Sequence, residues 1–248
     1  MRRALEFSVI LLALPVTSSA QGLDRRIASV GEGVVRFSFA AREGVCGNGH
    51  NISVSDRNDE WVGGCDHGPV RVSLHIRAGK VTDANTYIGG RWRSPGPSGT
   101  DFGTLPAAQT AADLLDLAER APDGSEELIT AASLADSTVI WPRLIALAHR
   151  TSLPLETRRH AIFWLGQAAG EAATRDLDSI AREDTAELEI RKQAVFALSQ
   201  RPEDEAVPAL IRIAKSNPDR EVRKSALFWL GQTEDPRALE VFEQLLLH

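Results

Sequence analysis

Residues 158–167, 191–200 and 223–232 align with one another without gaps, at offsets of 33 and 32 residues. Each copy opens on an arginine (Arg158, Arg191, Arg223), carries a phenylalanine five positions later (Phe163, Phe196, Phe228) and closes on a glutamine (Gln167, Gln200, Gln232). Phe-Trp-Leu-Gly-Gln is identical at 163–167 and 228–232, which chance would hardly produce in a chain of 248 residues. Self-similarity at this period is the signature of stacked units, and it dominates the fold. Behind each copy lies a second amphipathic stretch: Leu177 and Ile180, then Val207, Leu210 and Ile213, then Leu239, Phe242 and Leu245. One unit is therefore a helix pair. A single pair cannot bury its own apolar faces, so stacking supplies the core and at least three units are needed. A degenerate fourth unit, Leu128 to Leu134 followed by Trp141 to Ala148, completes the array.

The helix Val222 to Gly231 and the partner stretch Ala206-Val207-Pro208-Ala209-Leu210 resemble the short HEAT repeats of many bacterial proteins, including those of the bilin-lyase type. The resemblance covers about residues 125–248. It implies an α-solenoid whose curved surface holds another protein, and it implies a ladder in which the repeated arginines pair with acidic groups of neighbouring units. It concerns the repeats alone and brings no lyase chemistry with it.

Within a unit, Val222, Ala226, Trp229 and Leu230 fall on one helical face, the face expected in the core. Phe228 lies off that face, and so do Phe163 and Phe196. A ring in all three copies predicts an aromatic row along the outer side of the array. Exposed apolar rows mark interaction surfaces, so Phe163, Phe196 and Phe228 are the candidate partner-binding residues; cover from the N-terminal region is the alternative reading. The three glutamines stand where the first helix of each unit ends, a place for capping.

The N-terminal region reads differently. Val35, Phe37 and Phe39 alternate with Arg36 and Ser38, and Val70, Val72, Leu74 and Ile76 alternate with Arg71, Ser73, His75 and Arg77. That is the period of half-buried strands. Gly79-Lys80 separates the second run from Val81 to Ile88, which predicts a hairpin. Residues 21–93 are expected to form a small antiparallel β domain. Residues 94–106, rich in Pro, Gly and Ser, are expected to be a linker, and 107–248 to be the helical array, with about nine helices. The overall class is thus a small β domain followed by an all-α solenoid.

Residues 1–20 carry Arg2 and Arg3, an apolar run around Leu11, Leu12 and Leu14, and the small residues Ser18 and Ala20, the pattern of a cleaved signal peptide. No lipid-anchor cysteine follows, and the run is too short for a membrane span, so a periplasmic or secreted protein is expected. Cys46 and Cys65 are the only cysteines. In an oxidising compartment they are expected to form a disulfide closing the open end of a hairpin made by Asn51 to Ser55 and Glu60 to Gly64. A zinc site of Cys46, His50, Cys65 and His67 is the rival, although its spacing fits none of the common zinc patterns.

Charge excludes one class. From Leu105 to His248 there are sixteen basic and twenty-four acidic residues, a balance of −8, and no basic face exists to displace counterions from nucleic-acid phosphates. No nucleophile elbow, phosphate-binding glycine loop, H-E-x-x-H or paired-carboxylate motif is present, so no catalytic residue and no cofactor is expected. The reading is an exported, non-catalytic scaffold that binds another protein. The alternative is an exported enzyme, or a metal- or glycan-binding protein, with its site in the β domain, where Trp61, Tyr87 and Trp92 supply aromatics.

Overall fold

In a computed structural model the described residues are 22–54, 65–90, 99–121, 123–168 and 171–246; the signal-like segment lies outside them. The chain opens on helix α1 (Leu23–Val30), which buries Leu23 and Ile27 at i and i+4. Strands β1 (Gly33–Phe39), β4 (Val70–Arg77) and β5 (Lys80–Tyr87) are antiparallel neighbours, and β6 (Gly99–Thr104) adds to the outer side of β1, giving the order β5-β4-β1-β6. Phe37 faces Val72 across the β1–β4 pair and Val35 faces Leu74. The predicted alternation is observed: Val35, Phe37, Phe39, Val70, Val72, Leu74 and Ile76 are all buried, and His75 is exposed. Ala78 and Gly79, both at positive φ, turn β4 into β5, the geometry that matches the twist of a two-residue hairpin.

Two expectations are corrected here. Residues 99–104 are not linker: β6 pairs in parallel with β1, which also makes the sheet mixed rather than antiparallel. Turn-forming residues do not prevent edge pairing where one row of backbone bonds suffices. The strand is held further by the Arg26 guanidinium, 3.9 Å above the Phe102 ring. The second correction concerns the cysteine hairpin. Asn51–Val54 (β3) pairs with Val45–Asn48 (β2), so Cys46 lies inside a strand, opposite Ser53, rather than beyond its end. The proposed partner segment Glu60 to Gly64 lies outside the described residues.

From Ala107 onward the described residues contain nine helices: α2 (Ala107–Ala118), α3 (Ser125–Ser133), α4 (Trp141–His149), α5 (Leu155–Gly166), α6 (Glu171–Arg182), α7 (Leu188–Ser199), α8 (Glu203–Ser216), α9 (Arg220–Leu230) and α10 (Pro236–Leu246). Helices α3, α5, α7 and α9 pack side by side as one layer, while α4, α6 and α8 each pack against the first helix of the next unit. Leu165, Leu198 and Leu230 take the same fully buried place in successive units, as do Ala161, Ala194 and Ala226. Trp229 departs from the predicted core face and is half-buried.

The arginine ladder forms across units in two of the three copies. Buried Arg158 reaches Glu187 at 2.8 Å, and buried Arg191 reaches Asp219 at 2.8 Å. Each acid stands immediately ahead of the next first helix, where its charge also favours that helix's N-terminus. Arg223 instead donates to the carbonyls of Asn217 and Pro218.

Sheet and array share one continuous core running from Leu23 to Ala238. The junction is bonded as well as packed. Thr86 donates to the Glu127 carbonyl, the Leu23 amide donates to Asp113 at 2.9 Å, and Ala40 to Arg42 exchange backbone bonds with Leu134 and Asp136. The β2–β3 hairpin lies over the start of the helical layer, where Ile52 and Val54 line one cavity with Phe163.

Candidate binding cleft and aromatic row

The three predicted phenylalanines are brought together, with an additional ring between the second and third. Phe163 and Phe196 stack with centroids 6.5 Å apart. Phe196 meets Trp229 at 5.0 Å, and Trp229 meets Phe228 edge-on at 5.0 Å. The row therefore runs Phe163, Phe196, Trp229, Phe228. The middle copy has Ala197 at the position matching Trp164 and Trp229. A Cβ on Gly166 would come within 3.0 Å of Ala197. Gly166 and Ala197 are thus in close contact, and the next unit's Trp229 lies against Phe196.

Exposure rises along the row. Phe163 and Phe196 are half-buried, whereas Phe228 is 60% exposed. The N-terminal region covers the start of the row at Phe163 and leaves its end at Phe228 in solvent. Phe163 lies in a cavity of about 420 Å³ beneath the β2–β3 hairpin, with Ile52 and Val54 on the strand side and Gln167 and Gln200 on the helical side. Trp164 also lines this cavity, together with a second of about 410 Å³ bounded by Trp141 and Arg42.

Trp164 is held from below by a polar cluster that sequence reasoning missed. Its indole N–H donates to His160 Nε2 at 3.1 Å and lies 3.3 Å from the Thr130 hydroxyl. Thr130 Oγ1 is itself 2.9 Å from the same nitrogen. An indole only donates, so His160 Nε2 accepts and the ring is neutral, with its proton on Nδ1. Burial pushes the His160 pKa below its usual value, opposed more weakly by the Glu126 carboxylate and a backbone bond to the same residue. The unfolded chain consequently binds a proton at higher pH than the folded one. The stabilising contribution is complete above about pH 6.5 and is lost as pH falls below it. Urea midpoints measured from pH 8 to 5 are expected to fall more steeply for the wild type than for His160→Gln, the difference limited to about 1.4 kcal/mol per pH unit for one proton. Parallel curves would refute the assignment.

The glutamines do not cap through their side chains. Gln167 and Gln200 use backbone amides at the ends of α5 and α7. Among the described residues the Gln200 carboxamide donates to Ser199 alone and that of Gln167 has no partner. In the β domain, Cys46 and Cys65 form a disulfide with Cα atoms 5.4 Å apart, which removes both sulfurs from any zinc site. His67 Nδ1 lies 3.1 Å from the Val45 carbonyl, and His50 packs on Tyr87 at 4.2 Å. Trp61 and Trp92 lie outside the described residues.

Two layers of helix pairs stacked through repeated leucines and arginines define the C-terminal half as an α-solenoid. Residues 141–228 and 179–248 match the family of HEAT repeats, and this part of the chain is a HEAT-repeat array. No match to the chain is found among curated proteins. HEAT repeats are architectures of protein–protein contact. No helix among the described residues is long and apolar enough to cross a membrane.

Proposed function

We propose that the chain is an exported, non-catalytic scaffold that holds another protein on the aromatic row of its HEAT array. The observation that carries this reading is a continuous line of four rings that starts under the β2–β3 hairpin and emerges into solvent at Phe228. Large aromatics presented on a rigid helical layer supply contact area at low entropic cost, which is how binding hot spots are built. Export is supported by the signal-like residues 1–20 and by the Cys46–Cys65 disulfide, a bond that persists in oxidising compartments.

Crosslinking in the native envelope fraction followed by mass spectrometry tests the reading. The wild type is expected to capture one reproducible partner that a Phe163→Ser, Phe196→Ser, Phe228→Ser variant of unchanged helicity loses. Capture of nothing by the wild type, or equal capture by the variant, contradicts it. N-terminal sequencing of the purified protein tests export: a chain beginning at Gln21 is the expected product, and an intact Met1 to Ala20 leader argues against it.

A further inference from the structure

The cavity under the β2–β3 hairpin differs from the rest of the row in having polar groups at its edges. Among the described residues, neither the Glu127 carboxylate nor the Gln167 carboxamide has a hydrogen-bond partner, and the Gln200 carboxamide leaves its oxygen free. Between them lies a slot with Phe163 on the helical side and Ile52 and Val54 on the hairpin side, its lining completed by the polar side chains of His50, Thr86 and Thr130. About 420 Å³ is room for a large side chain together with the backbone that carries it.

We propose that this cleft binds an extended peptide segment of a partner protein, one apolar side chain entering the slot and a neighbouring Lys or Arg pairing with Glu127. This rests on the scaffold reading and names the chemistry of the partner. A carboxamide offers both a donor and an acceptor, the complement of a peptide group, and Gln167 and Gln200 present two at adjacent units. The charge follows from the array, which carries a balance of −8 from Leu105 to His248. A cationic segment approaches such a surface favourably. The hairpin roof is covalently tied by the disulfide and the floor is anchored by Trp164, so the slot is formed before its occupant arrives and little ordering cost is added on binding.

The test uses the full chain, panned against a phage-displayed library of random twelve-residue peptides, with enriched peptides then titrated by tryptophan fluorescence. Enriched sequences are expected to share one large apolar residue flanked by Lys or Arg. Gln167→Ala combined with Gln200→Ala is expected to weaken binding at least tenfold, and Glu127→Gln at least threefold, with greater salt sensitivity in the wild type. Glu127 and Gln200 are exposed, so Glu127→Gln and Gln200→Ala keep the fold even if Phe163→Ser does not. Absence of enrichment overturns the proposal, as do peptides that bind all variants equally. Saturable binding of chitohexaose in place of peptides overturns it too. A crosslinked partner lost on the triple phenylalanine substitution yet retained by Gln167→Ala, Gln200→Ala would leave the scaffold reading standing and this one refuted.

Discussion

Arg201→Ala is expected to destabilise the protein by about 3–5 kcal/mol, read from urea midpoints at neutral pH. Arg201 sits between α7 and α8, only 9% exposed, and its guanidinium joins three elements. Nε donates to the Thr174 hydroxyl on α6 at 2.9 Å, Nη2 to Glu205 on α8 at 3.0 Å, and Nη1 to the carbonyls of Gly166 and Ala168 at the end of α5. Thr174 also donates to Glu205, closing a triangle. That hydroxyl bond, with the neighbouring guanidinium, holds the Glu205 carboxyl below its ordinary pKa against the opposing effect of desolvation. Truncation would strand two carbonyls that a helix end cannot satisfy by itself, and it would leave a carboxylate without its cation. Arg201→Lys keeps the charge but not the planar fork, so it should recover less than half of the loss. Lys192→Ala serves as the contrast. Its pair with Glu189 stands in solvent, and a shift within about 0.5 kcal/mol is expected. A loss below about 1 kcal/mol for Arg201→Ala would show that the array does not depend on this junction.

Arg201 also marks where sequence reading reaches its limit. Period and spacing made the three units and their core leucines legible, because those contacts recur at one offset, and the resemblance to HEAT repeats supplied the cross-unit arginine pairs, of which two form. Arg201 has no equivalent in the other copies, and three of its partners lie 27 to 35 residues away, so no local pattern announces it. The same limit appears in the repeated Phe-Trp-Leu-Gly-Gln. Trp164 is 7% exposed and hydrogen-bonded to His160, whereas Trp229 in the identical pentapeptide is half-buried against Phe196. The first lies under β3 and behind α3, and the last stands at the far end of the described array. Neighbours brought in by the fold, not the residues themselves, set the difference. In the β region, alternation identified β1, β4 and β5 because one face of each is apolar and packed in the core, although Arg36 and Ser73 on the other face are buried as well. β6 was illegible because its support is backbone pairing to β1 and one cation over Phe102, neither of which leaves an apolar period. The cleft combines both cases: the phenylalanines were visible as a repeat, but the hairpin roof and the free polar groups exist only in three dimensions.

Loss of the Cys46–Cys65 bond is expected to lower stability by about 3 kcal/mol, the loop-entropy value for a ring of about 20 residues, and to act chiefly on the hairpin. Two short strands isolated from the main sheet are marginal by themselves. Among the described residues β2 pairs with β3 and, through Gly47, bridges to Asp66, while Gly49 just beyond it bridges to Ile88. The disulfide holds Cys65 beside β2, and the Gly47–Asp66 bonds of 2.9 and 3.0 Å follow directly from it. The hairpin adds Val45, Ile52 and Val54 to a core that is otherwise built from α1, the main sheet and the helices. Cys46→Ser with Cys65→Ser should therefore speed hydrogen exchange at 45–54 by one to two orders of magnitude while leaving Leu165, Leu198 and Leu230 protected. Because Ile52 and Val54 form one wall of the cleft, peptide affinity should fall in the same variant, whereas exposed Phe228 should keep its contribution to partner capture. Equal midpoints with and without reductant would mean that the hairpin stands without its tie. Uniform loss of protection through the helices would mean that roof and array unfold together, and the cleft would then be a property of the whole core rather than of its hairpin.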